Sequence, residues 1–180
     1  MESTIWKPLT IAVICAVSFA GPPSPDPQGG LTTISPAAIS KDEVLSRWTE
    51  ALGGREKLQN VRAIHLRGTI ETGGRKGSYE RWTGMRGELR TAVDLPGGYR
   101  QTAVFDGRQG WIQDPSGTVH ELTGDMFRSM VSSAYEVSDS FLFSGRLPGR
   151  VEFLGQDAGQ GAYVLRLEPE NGTALTVFVS

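Results

Sequence analysis

VFDGRQGWIQDPSGTVHELTG, residues 104–124, contains two turn sequences separated by a few strand-forming residues. The first is Asp106-Gly107, where glycine accepts the positive φ that a tight hairpin turn requires. The second is Asp-Pro-Ser-Gly at 114–117, in which proline fixes φ at the second position of the turn. The stretch therefore predicts strand, turn, short strand, turn and strand. We interpret its acidic, serine and histidine residues as scaffold rather than as a catalytic site.

Alternating apolar residues extend this pattern in both directions along the chain. From Ile64 to Ile70 every second residue is apolar or glycine and the residues between them are polar, which indicates a strand with one buried face. Glycine-containing turns at 73–74, 86–87 and 96–98 separate this strand from the next ones. The pattern predicts a meander of antiparallel neighbours. The predicted strands cover residues 61–71, 76–85, 88–95, 99–105, 150–154, 162–168 and 173–179.

Two helices, and a short helical turn at 55–59 after the first of them, are expected outside the strands. Ser40 and Glu43 form a capping box before a helix that ends at Gly53-Gly54. A second amphipathic helix is predicted from Gly124 to residue 133, and segment 134–143 is interpreted as a partly helical lid. The predicted fold class is mainly β, of the α+β type. It is a curved antiparallel meander sheet or incomplete barrel with an N-terminal helix and a helical lid insertion.

The N-terminal residues have the composition of a secretory signal peptide. Lys7 precedes an apolar run of about 12 residues that ends at Ala20, too short to span a membrane as a helix. We predict a signal peptide at 1–20 with cleavage near Ala20, a flexible Pro/Gly-rich linker at 21–39 and one domain at 40–180. The mature chain would then be periplasmic or secreted, without a transmembrane segment. It would also lack cysteine, because Cys15 is the only one.

The sequence ends on a predicted strand. We expect either that the natural chain continues past Ser180, for example into a fused C-terminal domain, or that the sheet closes on itself there. The expected oligomeric state is a monomer.

No motif for catalysis, metal binding or cofactor binding is present in the sequence. The two histidines, His65 and His120, have no metal-ligand spacing, and Asp106 and Asp114 fall in predicted turns. The nucleophile elbow and phosphate-loop signatures are missing. The net charge of −2, with scattered Lys and Arg, gives no basic patch for nucleic acid. We predict no catalytic residue, metal or cofactor, although two carboxylates could still meet from distant parts of a fold.

The aromatic residues of the strands and helices have two interpretations. They can form an ordinary core, as large apolar residues do in any sheet that helices cover. Alternatively, two or three helices leave part of the sheet uncovered, so that an apolar hollow remains between helices and sheet. The sequence is compatible with both a filled core and an apolar hollow.

The order of predicted elements resembles the periplasmic lipoprotein-carrier fold of the LolA/LolB type. Segments 51–70, 105–124 and 162–180 carry this resemblance, and the first two also resemble N-terminal leader domains of secreted bacterial proteins, some of which precede an aspartic protease domain. The carrier resemblance implies an incomplete barrel, a helical lid over an apolar hollow for acyl chains, and a role in outer-membrane lipoprotein sorting. The chain has fewer predicted strands than a full carrier.

These observations predict an exported, non-enzymatic domain that binds an apolar small molecule or acyl lipid. The alternatives are a structural leader domain of a longer secreted protein, such as an aspartic protease, and a self-contained hydrolase. A carrier places apolar side chains on the concave face of its sheet and on its lid, and methionine suits such a deformable site. The predicted ligand-binding residues are Ile64, Leu66, Ile70, Trp82, Leu89, Val93 and Phe105 of the strands and Met126, Phe127 and Met130 of the lid.

Overall fold

A computed structural model of the chain describes residues 39–159 and 161–179. Contacts divide the chain into Met1–Pro36 and Ala37–Ser180, and all described residues belong to the second unit. The predicted signal peptide, its cleavage near Ala20 and residues 21–38 of the predicted linker lie outside the described residues.

The predicted helices form with small changes in their bounds. The Ser40 side chain accepts a hydrogen bond from the Glu43 backbone N–H at 3.2 Å, so Ser40 caps the first helix as expected. The second amphipathic helix continues past residue 133, because Ala134 and Tyr135 on its last turns are buried. The helices are α1 Lys41–Ala51, α2 Arg55–Asn60, α3 Gly124–Val137 and a 3₁₀ helix Ser140–Leu142.

Six strands form the predicted antiparallel meander. Each strand pairs with its neighbour in the chain, and the Asp106-Gly107 hairpin of the opening segment joins the fourth strand to the fifth. In that turn Gly107 has a φ of 97°, and the Asp106 carboxylate accepts the backbone N–H groups of Arg108 and Gln109 at 2.8 Å. The strands are β1 Ala63–Thr72, β2 Arg75–Gly84, β3 Leu89–Leu95, β4 Tyr99–Phe105, β5 Gly110–Gln113 and β6 Val119–Glu121.

The last three strands form a second antiparallel sheet. They are β7 Gly149–Gln156, β8 Tyr163–Pro169 and β9 Leu175–Val179. Asn171 in the turn before β9 has a φ of 60°, consistent with the predicted turn at Asn171-Gly172. The mainly β, α+β fold class is confirmed. The nine strands of the described residues lie in two sheets, and these sheets do not close into a barrel.

Strand register divides the six-stranded sheet into two faces. The face that carries Leu89 and Phe105 packs against α3, and we call it the inner face. It consists of the even-numbered residues of β1 and the odd-numbered residues of β2, β3 and β4. The opposite side is the outer face. Side chains of a strand alternate between the two faces, so a residue's face follows from its register.

Helix α3 packs against both sheets. Val131 and Ala134 belong to one buried cluster with Leu89 and Phe105 of the large sheet. Tyr135 belongs to a second cluster with β8 residues and the 3₁₀-helix side chains. The two clusters meet on adjacent residues of one helix, and the helix thereby joins the two sheets.

The cluster beside the small sheet contains the aromatic residues of the segment predicted as a lid. Phe141, Leu142 and Phe143 are buried there with Leu165 and Leu167 of β8. The prediction that segment 134–143 is partly helical is confirmed. Its aromatic residues fill a core between the helices and the small sheet.

The contact between α3 and β7 can be tested at Gly149. A Cβ placed on Gly149 would lie 2.7 Å from Tyr135 Cε2 and 2.9 Å from the Glu168 carbonyl oxygen. We expect Gly149→Ala to lower the free energy of unfolding by about 1–3 kcal/mol, because the core cannot accept the added methyl group without shifting. Urea denaturation measures the change.

Gly68→Ala is the matched control, because a Cβ on this strand glycine meets nothing within 4 Å. It should leave the stability nearly unchanged. Equal losses in the two variants would contradict the close packing of Tyr135 on β7.

Candidate functional site

The inner face of the large sheet is open towards β1. Ile64 and Leu66 are 39% and 37% exposed, and Ile70 on the same face is partly exposed. Leu66 lies opposite Arg81 of β2, and Tyr79 of β2 lies opposite Val93 of β3. We call the inner-face residues Ile64, Leu66, Ile70, Tyr79 and Arg81 the open inner face.

The open inner face is continuous with the core under α3. Thr83 lies between Ile64 of β1 and Leu89 of β3 in the register of the sheet. Leu89 is buried under the helix, whereas Ile64 on the other side of Thr83 is exposed. One face of the sheet therefore runs from the helix-covered strands, through Thr83, to the exposed apolar residues of the edge strand.

Carboxylates are confined to the outer face of this sheet. Among the residues of its six strands, all of which are described, the inner face has no Asp or Glu. Its cationic residues on β2 are Arg75 and Arg81. Arg75 lies over the ring of Tyr99, with its guanidinium carbon 5.4 Å from the ring centroid. Arg81 has no such aromatic partner and no ion pair within the described part of the chain.

Two polar groups of β2 are buried on the inner face without a hydrogen-bond partner among the described residues. They are Nε of Arg81 and Oγ1 of Thr83, and Thr83 is only 1% exposed. Buried polar groups in native proteins are normally hydrogen-bonded, since an unsatisfied one costs about 1–3 kcal/mol. These two groups mark the polar end of the open inner face.

Nine of the ten predicted ligand-binding residues fall into three groups. Ile64, Leu66, Ile70 and Val93 lie on the inner face with intermediate or high exposure. Leu89 and Phe105 are buried, and Phe127 and Met130 of α3 pack against them. These four residues form a filled core rather than the lining of a hollow. Met126 is 55% exposed and lies outside this core.

Trp82 lies on the outer face, which differs from its predicted placement. Its neighbours in register are His65 and Arg90, and Leu89 lies opposite Thr83. The His65 ring stacks on the indole at a centroid distance of 4.6 Å, and the Arg90 guanidinium lies 4.4 Å from the indole centroid. These cross-strand contacts join β1, β2 and β3. The sequence predicts the inner face for Trp82 because tryptophan is apolar. In the structure the polar residues Arg81 and Thr83 occupy the inner positions on either side of it, and Trp82 therefore lies on the outer face.

The opening segment forms a turn network around Asp114. One carboxylate oxygen accepts the Ser116 hydroxyl at 2.6 Å, and the other lies 3.0 Å from Nε2 of His120. These hydrogen bonds, that of Ser116 above all, lower the pKa of Asp114 from 3.8 to about 2. The arrangement does not match a nucleophilic relay, in which the base bonds the hydroxyl, because here Ser116 donates to the carboxylate. The network stabilises the turn, as the sequence predicts.

The cavities beside α1 and α2 do not involve the open inner face. A cavity of about 350 Å³ lies beside α1 and is lined mainly by polar residues such as Asp42, Glu50 and Arg55. The described residues contain no cluster of His, Cys, Asp and Glu able to hold a metal ion. Within 39–159 and 161–179, no helix has the length and apolarity needed to cross a bilayer.

Sequence reasoning missed Arg81 and Thr83 as site residues. Their polarity argues against a buried face, and only the pairing of Thr83 with Leu89 shows which face they occupy. Comparison of the chain with protein-family models, curated proteins and solved structures gave no significant match.

The Asp114 network predicts an acid-shifted carboxyl titration. In the folded protein the Asp114 carboxyl should titrate at about 2, as followed by carbon-detected NMR. Because the folded pKa is depressed, the stabilisation is fully present above the unfolded pKa of 3.8 and is lost as the pH falls through about 2.

Ser116→Ala should move this titration towards 3.8, because it removes the hydroxyl donor that lowers the pKa most. Asp106 is the control carboxyl, because the backbone N–H groups of Gln109 and Arg108 in a different turn lower its pKa, and its titration should be the same in both proteins. An Asp114 titration that Ser116→Ala leaves unchanged would contradict the network.

Proposed function

We propose that this chain is an exported, non-enzymatic domain that binds an acyl-chain ligand or similar apolar molecule on the open inner face. The observation that carries the proposal is the exposure of Ile64 and Leu66 on the same face as the buried core residue Leu89. A ligand seated there would extend the buried core across the exposed strands. The resemblance to lipoprotein carriers, stated from sequence alone, points to the same kind of ligand.

Hydrophobic burial accounts for the affinity of such a site. Each methylene group removed from water contributes about 0.8 kcal/mol, so an acyl chain gains affinity from its length. The absence of carboxylates among the inner-face strand residues leaves no anionic side chain to be desolvated by the ligand. Such a surface binds ligands according to the apolar area that they bury and has little specificity for the shape of an acyl chain.

The alternative, a structural leader domain of a longer secreted protein, predicts an inner face that takes up no ligand. No particular contact in the described residues favours it. Binding of an apolar probe therefore separates the two functions.

Substitution of Leu66 tests the proposal. We expect Leu66→Asp to weaken binding of the neutral fluorescent probe 1-(phenylamino)naphthalene by about tenfold or more, because the ligand would have to desolvate a carboxylate. The substitution should leave the fold intact, since Leu66 is already 37% exposed. A fluorescence titration measures the affinity, and a melting curve checks the fold.

Leu154→Asp is the matched control, because Leu154 is an equally apolar side chain on β7 and is 51% exposed. It should leave probe affinity unchanged. Equal losses in both variants, or no binding to the unsubstituted protein, would contradict binding on the open inner face.

A further inference from the structure

We propose that the ligand of the open inner face is an amphiphile with an anionic head group, and that Arg81 binds its carboxylate. This inference rests on the proposed function, since it concerns the head group of the same ligand. It adds a polar specificity that burial of an apolar chain alone does not supply. The feature that points to it is the Arg81 guanidinium, which has no ion-pair partner among residues 39–159 and 161–179 and lies on a face whose six strands carry no carboxylate there.

Arg81 lies at the boundary between apolar and polar parts of the inner face. Across β1 its neighbour is Leu66, and across β3 its neighbour is Thr91. Thr83 lies two residues further along β2 and on the same face. An acyl chain against Leu66 would therefore have its head group within reach of the Arg81 guanidinium and near the Thr91 side chain, whereas Thr83 is buried.

The charges around Arg81 favour an external anion. Other arginines of the large sheet have partners on the outer face: Arg67 pairs with Glu80 at 2.5 Å, and Arg100 pairs with Asp94 at 2.8 Å. Arg81 has no carboxylate partner in the described chain, and its Nε is buried without a hydrogen bond. A guanidinium without a carboxylate partner gains most from an anion that both neutralises it and accepts its terminal N–H groups.

A carboxylate matches this donor set in shape as well as in charge. Its two oxygens accept two parallel N–H bonds from one guanidinium, and for Arg81 these come from the two terminal nitrogens because Nε is buried. Arg81 is the one cation among the five residues that define the open inner face. A ligand with one negative charge therefore matches it. Monoacyl carboxylates, such as fatty acids, are the simplest ligands with this chemistry.

The test compares dodecanoate with dodecan-1-ol, which share a chain and differ in head-group charge. Each displaces 1-(phenylamino)naphthalene from the full chain at neutral pH, and the ratio of their affinities reports the head group. We expect the unsubstituted protein to prefer dodecanoate by about tenfold to a hundredfold, the range for a hydrogen-bonded charged group. Arg81→Gln should abolish the preference by lowering the affinity for dodecanoate to about that for dodecan-1-ol.

Two further variants make the result specific. Arg67→Gln removes one positive charge from the outer face of the neighbouring strand and should keep the preference for dodecanoate. Arg81→Lys keeps the charge but loses the guanidinium fork, so the preference should be reduced but present. If Arg67→Gln and Arg81→Gln reduced the preference for dodecanoate equally, the preference would depend on net charge, and the role of Arg81 would be overturned.

The outcomes also separate this inference from the proposed function. Equal affinity of the unsubstituted protein for dodecanoate and dodecan-1-ol would overturn anionic recognition and leave apolar binding standing. Displacement by neither compound, with no probe binding, would overturn the proposed function itself.

Discussion

The packing of α3 between the two sheets is the contact on which the rest of this structure depends. Val131 and Ala134 lie against Leu89 and Phe105 of the large sheet, while Tyr135 lies in the core of the small one. Ser132 fixes the helix further, because its hydroxyl oxygen accepts the backbone N–H of Thr173 at 2.7 Å. Because one helix turn serves both cores, the helix cannot shift without exposing apolar surface on one side.

The position of α3 also determines what stays open. The helix buries the inner face at Leu89 and Phe105, and the same face is exposed at Ile64 and Leu66 on β1. The large sheet thus has a filled core at one end and an accessible apolar surface at the other. The unpartnered Arg81 Nε and Thr83 hydroxyl lie on the strand between these regions. This combination of apolar area with unsatisfied donors distinguishes the open inner face from an incidental exposed leucine.

Local sequence signals predicted the elements well, and the faces less well. The Asp106-Gly107 and Asn171-Gly172 turns and the Ser40 cap depend on backbone chemistry within a few residues, so they are legible in the sequence. The split into two sheets depends on contacts between distant residues, which a single sequence does not encode locally. Trp82 was misplaced because polarity favours a buried tryptophan, whereas hairpin register puts Thr83 opposite Leu89. Arg81 was missed for the same reason, since its face is known only from register.

Native mass spectrometry of the full chain tests most directly whether the open inner face binds an acyl-chain ligand. The protein is purified after expression in bacteria with an intact periplasm, its mass is recorded without denaturation, and the bound material is extracted into organic solvent and identified. We predict a near-stoichiometric adduct that is released on extraction and identified as an acyl-chain amphiphile. A protein that is empty after purification and forms no adduct with added dodecanoate would contradict ligand binding on this face.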